Sequence, residues 1–515
     1  MKRRALVLAV DGLSWSVYRR LRGHGYFRYI SNLESRGVAG SIETIPPLTP
    51  PMWTSITSGV NPGKHGVFSF YIYNRRSWEP LRLYNSLDVR APRLHDIVSY
   101  NGGSSTVVNL PLSSWPPTIF RGAMVSDWLS PHDYARPSQL DERLKRELRA
   151  FNIGEWREEP CKLVARDAAI AASILDSLEE LFDSSNLVFY LVQLVDALMH
   201  RYPRELLNPR EPCIKDALSL VDEVFSSLIS VAADEALILV VSDHGNEPVK
   251  YRVTLPKALE EAGLVVPKFS RLVEPGEVGS RREAGLLFRA AGLALRVPLL
   301  GKLATRVGRW LVRVLGISVA GVERPIPDPA RSVAVFPQPW YFEIYLNETL
   351  IGSVEGALER VIEAIHDAMR RSGHRFLHRI DRGRGGLYQG PYSSEAPHLV
   401  VSPAPGYDLS SLNLYAPLIE KVNETRGNHT PFNMHIVHVP PNSPNLREAA
   451  KLIREPWDYA ILVLASLGIP IPDNTDSTLC NRAGLECKKA DYNARFLLSQ
   501  RLAARLAKQG RPGQN

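Results

Sequence analysis

Cysteine is scarce in this sequence, and none of the four cysteines in 515 residues shows the CxxC spacing of a thiolate metal site. The same scarcity argues against a secreted scaffold that depends on disulfide bonds. Cys480 and Cys487 lie close together near the C-terminus, so a bond between these two stays open. Because disulfide-poor chains are typical of reducing compartments, the sequence predicts a cytoplasmic location.

Long apolar runs and dense basic runs are also missing. No window approaches the roughly eighteen uncharged apolar residues of a membrane-spanning helix, so no span is expected. The apolar stretch near the N-terminus is interrupted at Asp11 and no small-residue cleavage site follows, which indicates a first strand and not a signal peptide. Without a zinc finger, an RNP motif or a Lys/Arg-rich run, nucleic acid is not expected as a partner.

The rest of the composition is that of a large globular protein. Hydrophobic residues make up 44% of the chain and charged residues 23%, enough for a large core and at least one inserted or appended domain. The formal net charge of +8 leans toward anionic partners such as phosphate esters or acidic lipid, although a balance this modest also serves solubility alone.

Short apolar runs alternate with helical or loop stretches in the first half of the chain. These strand-like runs cover residues 5–10, 105–109, 186–195 and 236–241. Such alternation is typical of βα units, and it predicts a parallel sheet that is covered by helices on both faces.

The character of the sequence changes towards the middle of the chain. Residues 331–352 read as strands with a turn and residues 353–372 as an amphipathic helix, so a small inserted α+β unit is the simplest account. The predicted organisation is a first part of an α/β core at 1–255, an inserted cap at 256–385 and the remainder of the core at 386–515. Units inserted into a rigid sheet commonly cover a site and set substrate choice.

A basic amphipathic stretch occupies residues 280–318. Its apolar positions recur at helical spacing, which predicts a pair of helices packed on the body of the protein. The alternative is contact of residues 285–318 with an anionic membrane surface. Farther on, Trp340, Tyr341 and Phe342 are predicted to pack in the core, or else to stack on a base.

Acidic residues terminate three of the predicted strands. Asp11 follows the first, Asp196 follows the third, and Asp243 with His244 follows the fourth. Because the carboxyl ends of parallel strands meet at one edge of a sheet, these side chains are expected to lie close together. His200 lies one helical turn after Asp196, on the same face. Mixed carboxylate and imidazole groups predict a divalent metal site for Zn²⁺ or Mn²⁺ rather than for the all-oxygen shell of Mg²⁺ or Ca²⁺.

Thr49 is the candidate nucleophile. It stands immediately before Pro50 and Pro51 at the start of an apparent helix, where an alkoxide and an incoming phosphate are both favoured. The alternative is that the Thr49 hydroxyl only caps this helix.

The stretch TPPMWTSITSG at 49–59, followed by NPGKHGVFSF, resembles the nucleophile segment of the type I phosphodiesterase/nucleotide pyrophosphatase branch of the alkaline phosphatase superfamily. SDHG at 242–245 and RGNHTPF around His429 follow in that family's order. The likeness is closest to archaeal and bacterial phosphohydrolases or phosphomutases of the superfamily, and it spans nearly the whole chain. It implies an alkaline phosphatase-like three-layer α/β/α sandwich with a mostly parallel sheet and an inserted α+β cap.

The resemblance also implies a site that binds two divalent ions. One ion would be held by Asp196, His200 and His429. The other would be held by Asp11, Asp243, His244 and the side-chain oxygen of Thr49. Zn²⁺ is the expected ion, with Mn²⁺ or Mg²⁺ as alternatives.

The implied reaction is hydrolysis of a phosphate ester through a covalent phospho-threonine intermediate. The substrate would be a small molecule, with a nucleotide or a lipid headgroup as options. The alternative is a transferase or phosphomutase that passes the phospho group to an alcohol. A sulfatase is disfavoured because the CxPxR-type segment is missing.

The chain departs from the family pattern at one position. Nucleotide pyrophosphatases have an Asn three residues after the nucleophile, where this chain has Met52. A thioether cannot donate a hydrogen bond, so the Thr49 backbone N–H or a neighbouring side chain such as Lys64 would have to hold the phosphate oxygen. Among the other histidines, His65 is predicted to be structural, and His435 and His438 are predicted to be packed or at the surface.

Overall fold

A sheet of eight strands forms the centre of the molecule. The computed structural model describes residues 3–113, 120–130, 133–153, 159–232, 235–271, 323–337, 342–409, 412–423 and 426–508. In spatial order the strands of the sheet are Val38–Gly40, His435–His438, Ala236–Val241, Arg4–Val10, Leu187–Val192, Ser105–Val108, Gly122–Val125 and Ala135–Arg136. The five strands from Ala236–Val241 to Gly122–Val125 are parallel, and antiparallel pairs occur only towards the two edges. All four predicted strands lie in this sheet.

Both faces of the sheet are covered because its strands are apolar on both sides. In the strand Arg4–Val10, alternate side chains belong to two different hydrophobic clusters. The first face packs against Trp15–Gly23, Arg28–Arg36, Ser138–Ile153, Cys161–Ile174, Leu178–Ser184, Leu194–Arg201, Pro203–Leu207 and Pro212–Ala232. The second face packs against Thr49–Ser58, Leu94–Tyr100, Pro444–Lys451, Asp458–Leu467, Leu479–Ala483 and Asn493–Lys508. The predicted three-layer α/β/α architecture is confirmed.

A separate hydrophobic cluster lies in the second half of the chain. It joins the helices Leu255–Glu261 and Val354–Ser372 to a smaller antiparallel sheet. The strands of that sheet, in spatial order, are Ala334–Val335, Glu343–Leu346, Leu399–Pro403 and Leu377–Arg382. Residues 399–403 therefore pair within the smaller sheet, although they follow the predicted limit of 385. The division at 255 and 385 itself stays a prediction.

Short strands complete the description. A three-stranded sheet contains Tyr407–Asp408, Tyr251–Val253 and Ile419–Lys421. Four two-stranded ribbons pair Gly245–Pro248 with Gly427–Thr430, Pro267–Arg271 with Glu323–Pro327, Tyr71–Tyr73 with Pro80–Leu83, and Ile471–Pro472 with Lys489–Ala490. The remaining helical turns are Pro62–His65, Ser86–Asp88, Leu175–Ser177, Glu348–Leu350 and Ser393–Glu395.

All four cysteines form disulfide bonds, which corrects the sequence-based view of a chain without a disulfide framework. Cys161 is bonded to Cys213 across 52 residues, and Cys480 is bonded to Cys487. The first bond joins the helices Cys161–Ile174 and Pro212–Ala232, which pack side by side. Sequence spacing gave no sign of this pairing because helix packing creates it. Disulfides persist mainly in oxidising compartments, so cysteine content no longer supports the cytoplasmic location, which stays a prediction.

Within the described part of the chain, no helix combines the length and the apolar character needed to cross a membrane. The basic stretch 285–318, for which membrane contact was an alternative, lies outside the described residues. Trp340 and Tyr341 lie outside them as well, whereas Phe342 is buried, as predicted for a core aromatic.

Candidate active site

Two neighbouring parallel strands each end in an aspartate. Asp11 follows Arg4–Val10 and Asp243 follows the end of Ala236–Val241, with Ala9 paired to Val241 in register. Their carboxyl ends therefore meet at one edge of the sheet, where open α/β sheets place their ligands. The backbone N–H of Gly12 donates to Asp243 Oδ1 at 3.2 Å and ties the two strand ends together.

Gly12 allows a third carboxylate to approach this edge. Its φ of +67° lies in the left-handed region, and a Cβ atom at this position would lie 2.7 Å from Asp196 Oδ1. Any side chain at position 12 would therefore displace the Asp196 carboxylate.

Asp196 and His200 come from the helix Leu194–Arg201, which follows the strand Leu187–Val192. Their spacing of one turn brings His200 Nε2 to 3.4 Å from Asp196 Oδ1. His429 reaches the same carboxylate from the ribbon Gly427–Thr430, with its Nε2 at 3.3 Å from Asp196 Oδ1 and 2.8 Å from His200 Nε2. We call Asp196, His200 and His429 the imidazole group.

Asp11, Asp243 and His244 form a second cluster, which we call the carboxylate group. His244 Nε2 lies 3.2 Å from Asp243 Oδ2 and 3.7 Å from Asp11 Oδ1. The side chains of all three residues are fully buried. The His244 ring stacks on the ring of His429 with a centroid distance of 3.8 Å, so the two groups are in direct contact.

Thr49 lies against the carboxylate group at the start of the helix Thr49–Ser58. Its hydroxyl donates to Asp11 Oδ1 at 3.4 Å and lies 3.2 Å from His244 Nε2. The seven side chains predicted to form the site are thus placed together, although they come from five separate segments of the chain. Lys64 is placed differently, because its ammonium group pairs with Asp476 Oδ1 at 2.6 Å and donates to the Asn474 carbonyl.

The two buried histidines present the same nitrogen to the site. His429 Nδ1 donates to the Pro47 carbonyl at 2.7 Å, and His244 Nδ1 donates to the Gly245 carbonyl at 3.1 Å. Since a carbonyl can only accept, both rings carry a proton on Nδ1 and turn Nε2 toward the carboxylates. This is the orientation that metal-binding histidines adopt.

Two further residues hold the carboxylates, and the sequence analysis missed both. Trp53 Nε1 donates to Asp11 Oδ2 at 3.3 Å, and Asn246 Nδ2 donates to Asp196 Oδ1 at 2.9 Å. Trp53 lies one turn after Thr49 on the same helix, a spacing that could have identified it. Asn246 carries no such signal, because the ribbon that pairs it with His429 joins distant parts of the chain.

The two groups differ in their electrostatics. Burial raises the pKa of Asp11 well above its ordinary value, and the Asp243 carboxylate raises it further. Burial also raises the pKa of Asp243, with Asp196 adding to the effect. Burial alone would raise the pKa of Asp196 too, but His200 and His429 outweigh it and hold that pKa well below the ordinary value.

The imidazoles respond to the same charges. Burial lowers the pKa of His200, but the Asp196 carboxylate outweighs it and the pKa is raised overall. In the carboxylate group, burial holds the pKa of His244 well below its ordinary value, so this ring is neutral. The three imidazoles and the carboxylate oxygens together form a donor set of the kind that binds Zn²⁺ or Mn²⁺.

The geometry fits divalent cations. Two sets of ligand atoms each lie within 4.8 Å of one another, namely Asp196 with His200 and His429, and Asp11 with Asp196 and His244. Asp196 belongs to both sets. Asp243 lies beside the second set, and its buried Oδ2 has no hydrogen-bond partner among the described residues. A buried carboxylate oxygen without a donor is costly unless a cation faces it.

His65 lies outside this arrangement. Its Nε2 is 3.0 Å from Ser55 Oγ, its Nδ1 accepts from the Val67 N–H, and burial lowers its pKa to about 3. The contacts agree with the predicted structural role of holding the turn after the helix Thr49–Ser58.

The sequence model of the type I phosphodiesterase/nucleotide pyrophosphatase family matches residues 5–431, which contain every residue of the site. The chain therefore belongs to this family. The predicted enzyme class, hydrolases that act on phosphoric ester bonds, is confirmed at the level of the family. A search of curated proteins gives no significant match.

Solved structures with the same overall fold include phosphonoacetate hydrolase from Sinorhizobium meliloti 1021 in complex with phosphonoacetate. It is 14% identical, with 90% of this chain and 96% of that chain covered and a TM-score of 0.51, which agrees with the fold described above. Murine ectonucleotide pyrophosphatase/phosphodiesterase 5 is 12% identical, with coverages of 94% and 100% and a TM-score of 0.47. The human protein of the same name is 13% identical, with coverages of 94% and 99% and a TM-score of 0.46.

Proposed function

We propose that this chain is a metal-dependent phosphoester hydrolase that uses Thr49 as its nucleophile at a two-metal site. The observation that carries the proposal is the position of the Thr49 hydroxyl, 3.2 Å from His244 Nε2 and 3.4 Å from Asp11 Oδ1. A hydroxyl that only capped the helix would bond to backbone N–H groups, whereas this one faces the carboxylate group. Membership of the phosphodiesterase family supports the same reaction class.

The imidazole group would hold one ion, and the carboxylate group with the Thr49 oxygen would hold the other. Zn²⁺ is the expected ion because nitrogen and oxygen donors are mixed, and Mn²⁺ or Mg²⁺ are the alternatives. When bound, the ions supply positive charge that lowers the pKa of the Thr49 hydroxyl and neutralises the phosphate oxygens.

In the first step the Thr49 oxygen forms a bond to phosphorus while the ester P–O bond breaks. The hydroxyl proton leaves to solvent, and the departing alkoxide takes up a proton to become the free alcohol. A water molecule then cleaves the phospho-threonine, which restores the hydroxyl and releases the phosphate. Trp53 and Asn246 hold the Asp11 and Asp196 carboxylates in place through both steps.

The first turn of this helix offers few donors to the nonbridging oxygens, and the Thr49 backbone N–H is the candidate that remains. Pro50 and Pro51 have no N–H group, and the Met52 N–H donates to the Leu48 carbonyl. Lys64 would contact the substrate only if its ammonium group left Asp476, with which it pairs at 2.6 Å. The substrate itself would be a small phosphate ester, with a nucleotide or a lipid headgroup among the options. One solved structure with the same overall fold is a complex with phosphonoacetate.

Thr49→Ala tests the nucleophile directly. After removal of metal with a chelator, the protein is reloaded with Zn²⁺, Mn²⁺ or Mg²⁺ and assayed on p-nitrophenyl phosphate, bis-p-nitrophenyl phosphate and phosphonate esters. Thr49→Ala should lower kcat by about 10³-fold or more while it keeps bound metal, since the covalent route is lost. Normal turnover by this variant would refute the assignment.

Thr57→Ala is a matched control on the same helix. Its buried hydroxyl donates to the Trp53 carbonyl at 2.6 Å and does not face the site. This variant should keep activity. Addition of an alcohol acceptor separates hydrolysis from phospho-group transfer, because a transferase or phosphomutase would form a new ester in place of free phosphate.

A further inference from the structure

Two arginines share one buried carboxylate in the three-stranded sheet. Arg252 Nε and Arg426 Nε each lie 3.7 Å from Asp408 Oδ2. The Asp408 side chain is only 3% exposed. Two guanidinium groups thus lie beside the Asp408 carboxylate, and Glu420 is the cross-strand neighbour of Arg252.

Both guanidinium groups have unused donor capacity. Arg252 Nε and Arg426 Nε are buried and have no hydrogen-bond partner among the described residues. The two side chains are nevertheless 33% and 35% exposed, so each of them reaches the surface. A buried donor without a partner is costly, and an anion that entered from solvent would satisfy both arginines at once.

The cluster lies beside the imidazole group. Arg426 directly precedes the strand Gly427–Thr430, which carries His429. A Cβ atom on Gly427 would lie 2.7 Å from the carbonyl oxygen of Met199, the neighbour of His200 in the chain. Asn428, which lies between Gly427 and His429, donates from Nδ2 to the carbonyl of Tyr407, the neighbour of Asp408, at 3.2 Å.

We propose that Arg252 and Arg426 bind a second anionic group of the substrate, carried by the part that departs from phosphorus. This inference rests on the proposed function, and it narrows the substrate class to phosphate esters or phosphonates whose departing part carries a carboxylate or another phosphate. Guanidinium groups suit both anions because their planar N–H donors match two oxygens. Asp408 holds the two guanidinium groups in position.

Matched pairs of substrates test the proposal. The first pair is 2-phosphoglycerate and glycerol 2-phosphate, in which a carboxylate is replaced by a neutral hydroxymethyl group. The second pair is 1,3-propanediol bisphosphate and propyl phosphate, which tests a second phosphate. The unaltered protein should favour the anionic member of one pair by about tenfold or more in kcat/KM, and the pair concerned identifies the anion.

Arg426→Gln and Arg252→Gln should each lower kcat/KM for the preferred anionic substrate by about 10- to 100-fold, chiefly through KM. For the other substrate of each pair, whose departing part is uncharged, kcat/KM should change by less than about threefold, because a removed surface charge acts weakly on an uncharged group. Arg371→Gln is the control, since Arg371 is also ion-paired, but with Glu261 and Asp367 on the helices of the smaller sheet. It should leave both members of each pair unchanged.

The outcomes separate this inference from the proposed function. Equal losses of kcat/KM on both substrates of a pair would show that Arg252 and Arg426 only stabilise the fold, and would overturn the inference. Turnover without any preference for substrates whose departing part is anionic would overturn the inference too, while the hydrolase proposal would stand. No turnover on any substrate would overturn both. Where Arg426→Gln fails to fold, Arg426→Lys, which keeps the charge but loses the planar donor pair, should give a smaller and still substrate-dependent loss.

Discussion

The imidazole group and the carboxylate group lie in contact, yet they balance their charges in opposite ways. In the imidazole group one carboxylate, Asp196, faces two imidazoles that hold its pKa well below the ordinary value. In the carboxylate group two fully buried carboxylates face one neutral ring, and burial raises the pKa values of Asp11 and Asp243. The first group is compensated by its own residues, whereas the second has an excess of negative charge when ionised.

The difference shows where the protein depends most on a cation. Buried carboxylates without partners are unfavourable, and the fold keeps Asp11 and Asp243 in this state through the strand ends that carry them. Such a cluster is retained at a cost in stability when it has a role in binding or catalysis. The carboxylate group is also the one that faces Thr49, so the site places its largest charge imbalance next to the proposed nucleophile.

Asp196→Asn should have the largest effect of any single ligand change, because Asp196 belongs to both sets of ligand atoms. We expect metal content to fall below one ion per chain and kcat/KM to fall by about 10³-fold or more. Metal analysis after dialysis, together with the p-nitrophenyl phosphate assay, measures both. Asp222→Asn is a control at a partly buried aspartate of the helix Pro212–Ala232. If Asp196→Asn kept two ions, the proposed role of Asp196 as a metal ligand would be wrong.

In the metal-free protein, neutralising one aspartate in each group should change the free energy of unfolding in opposite directions. In the chelator-treated protein at neutral pH, Asp243→Asn should increase the free energy of unfolding by about 1–3 kcal/mol. Burial raises the folded-state pKa of Asp243, so its carboxyl group disfavours folding above the pKa that it has in the unfolded chain, and a neutral amide removes this cost. It can also donate to His244 Nε2, which lies 3.2 Å from the present Oδ2.

Asp196→Asn should instead lower the free energy of unfolding of the metal-free protein. The folded-state pKa of Asp196 is lowered, so its ionised form contributes stability above the pKa it has in the unfolded chain and the substitution removes that contribution. Denaturant unfolding of the two variants and the unaltered protein measures the signs. Equal destabilisation by both substitutions would contradict the proposed charge balance. After reloading with Zn²⁺, Asp243→Asn should lose its advantage because metal binding is weakened.

Sequence patterns could locate the site because each of its parts has a local signature. Asp11 and Asp243 follow apolar runs that could be identified as parallel strands, and the topology of such sheets brings strand ends together. Asp196 and His200 share a helical turn, so their convergence needs no knowledge of the fold. His429 was reached through the family resemblance, since no spacing links its ribbon to the other ligands.

The remaining features arise only from tertiary contacts. The strand Leu399–Pro403 is apolar throughout and resembles a strand of the central sheet, but it pairs within the smaller sheet. Arg252, Asp408 and Arg426 lie far apart in the chain and meet because short strands pair there. Register between distant short strands is not encoded in hydrophobic periodicity, so neither arrangement could be predicted.

Substitution of Lys64 should have the smallest effect. Lys64 is the one predicted site residue that the structure places away from the other seven. Its ammonium group is engaged by Asp476 and the Asn474 carbonyl, so contact with a phosphate oxygen would require this ion pair to break. If the pair persists during catalysis, Lys64→Ala should change kcat/KM by less than about threefold, within the range of a partly exposed ion pair. Asp476→Asn is the matched variant, because it frees the ammonium group without removing it. A loss of 100-fold in Lys64→Ala that is absent in Asp476→Asn would instead support direct substrate contact by Lys64, and would place it with the groups that replace the Asn missing at Met52.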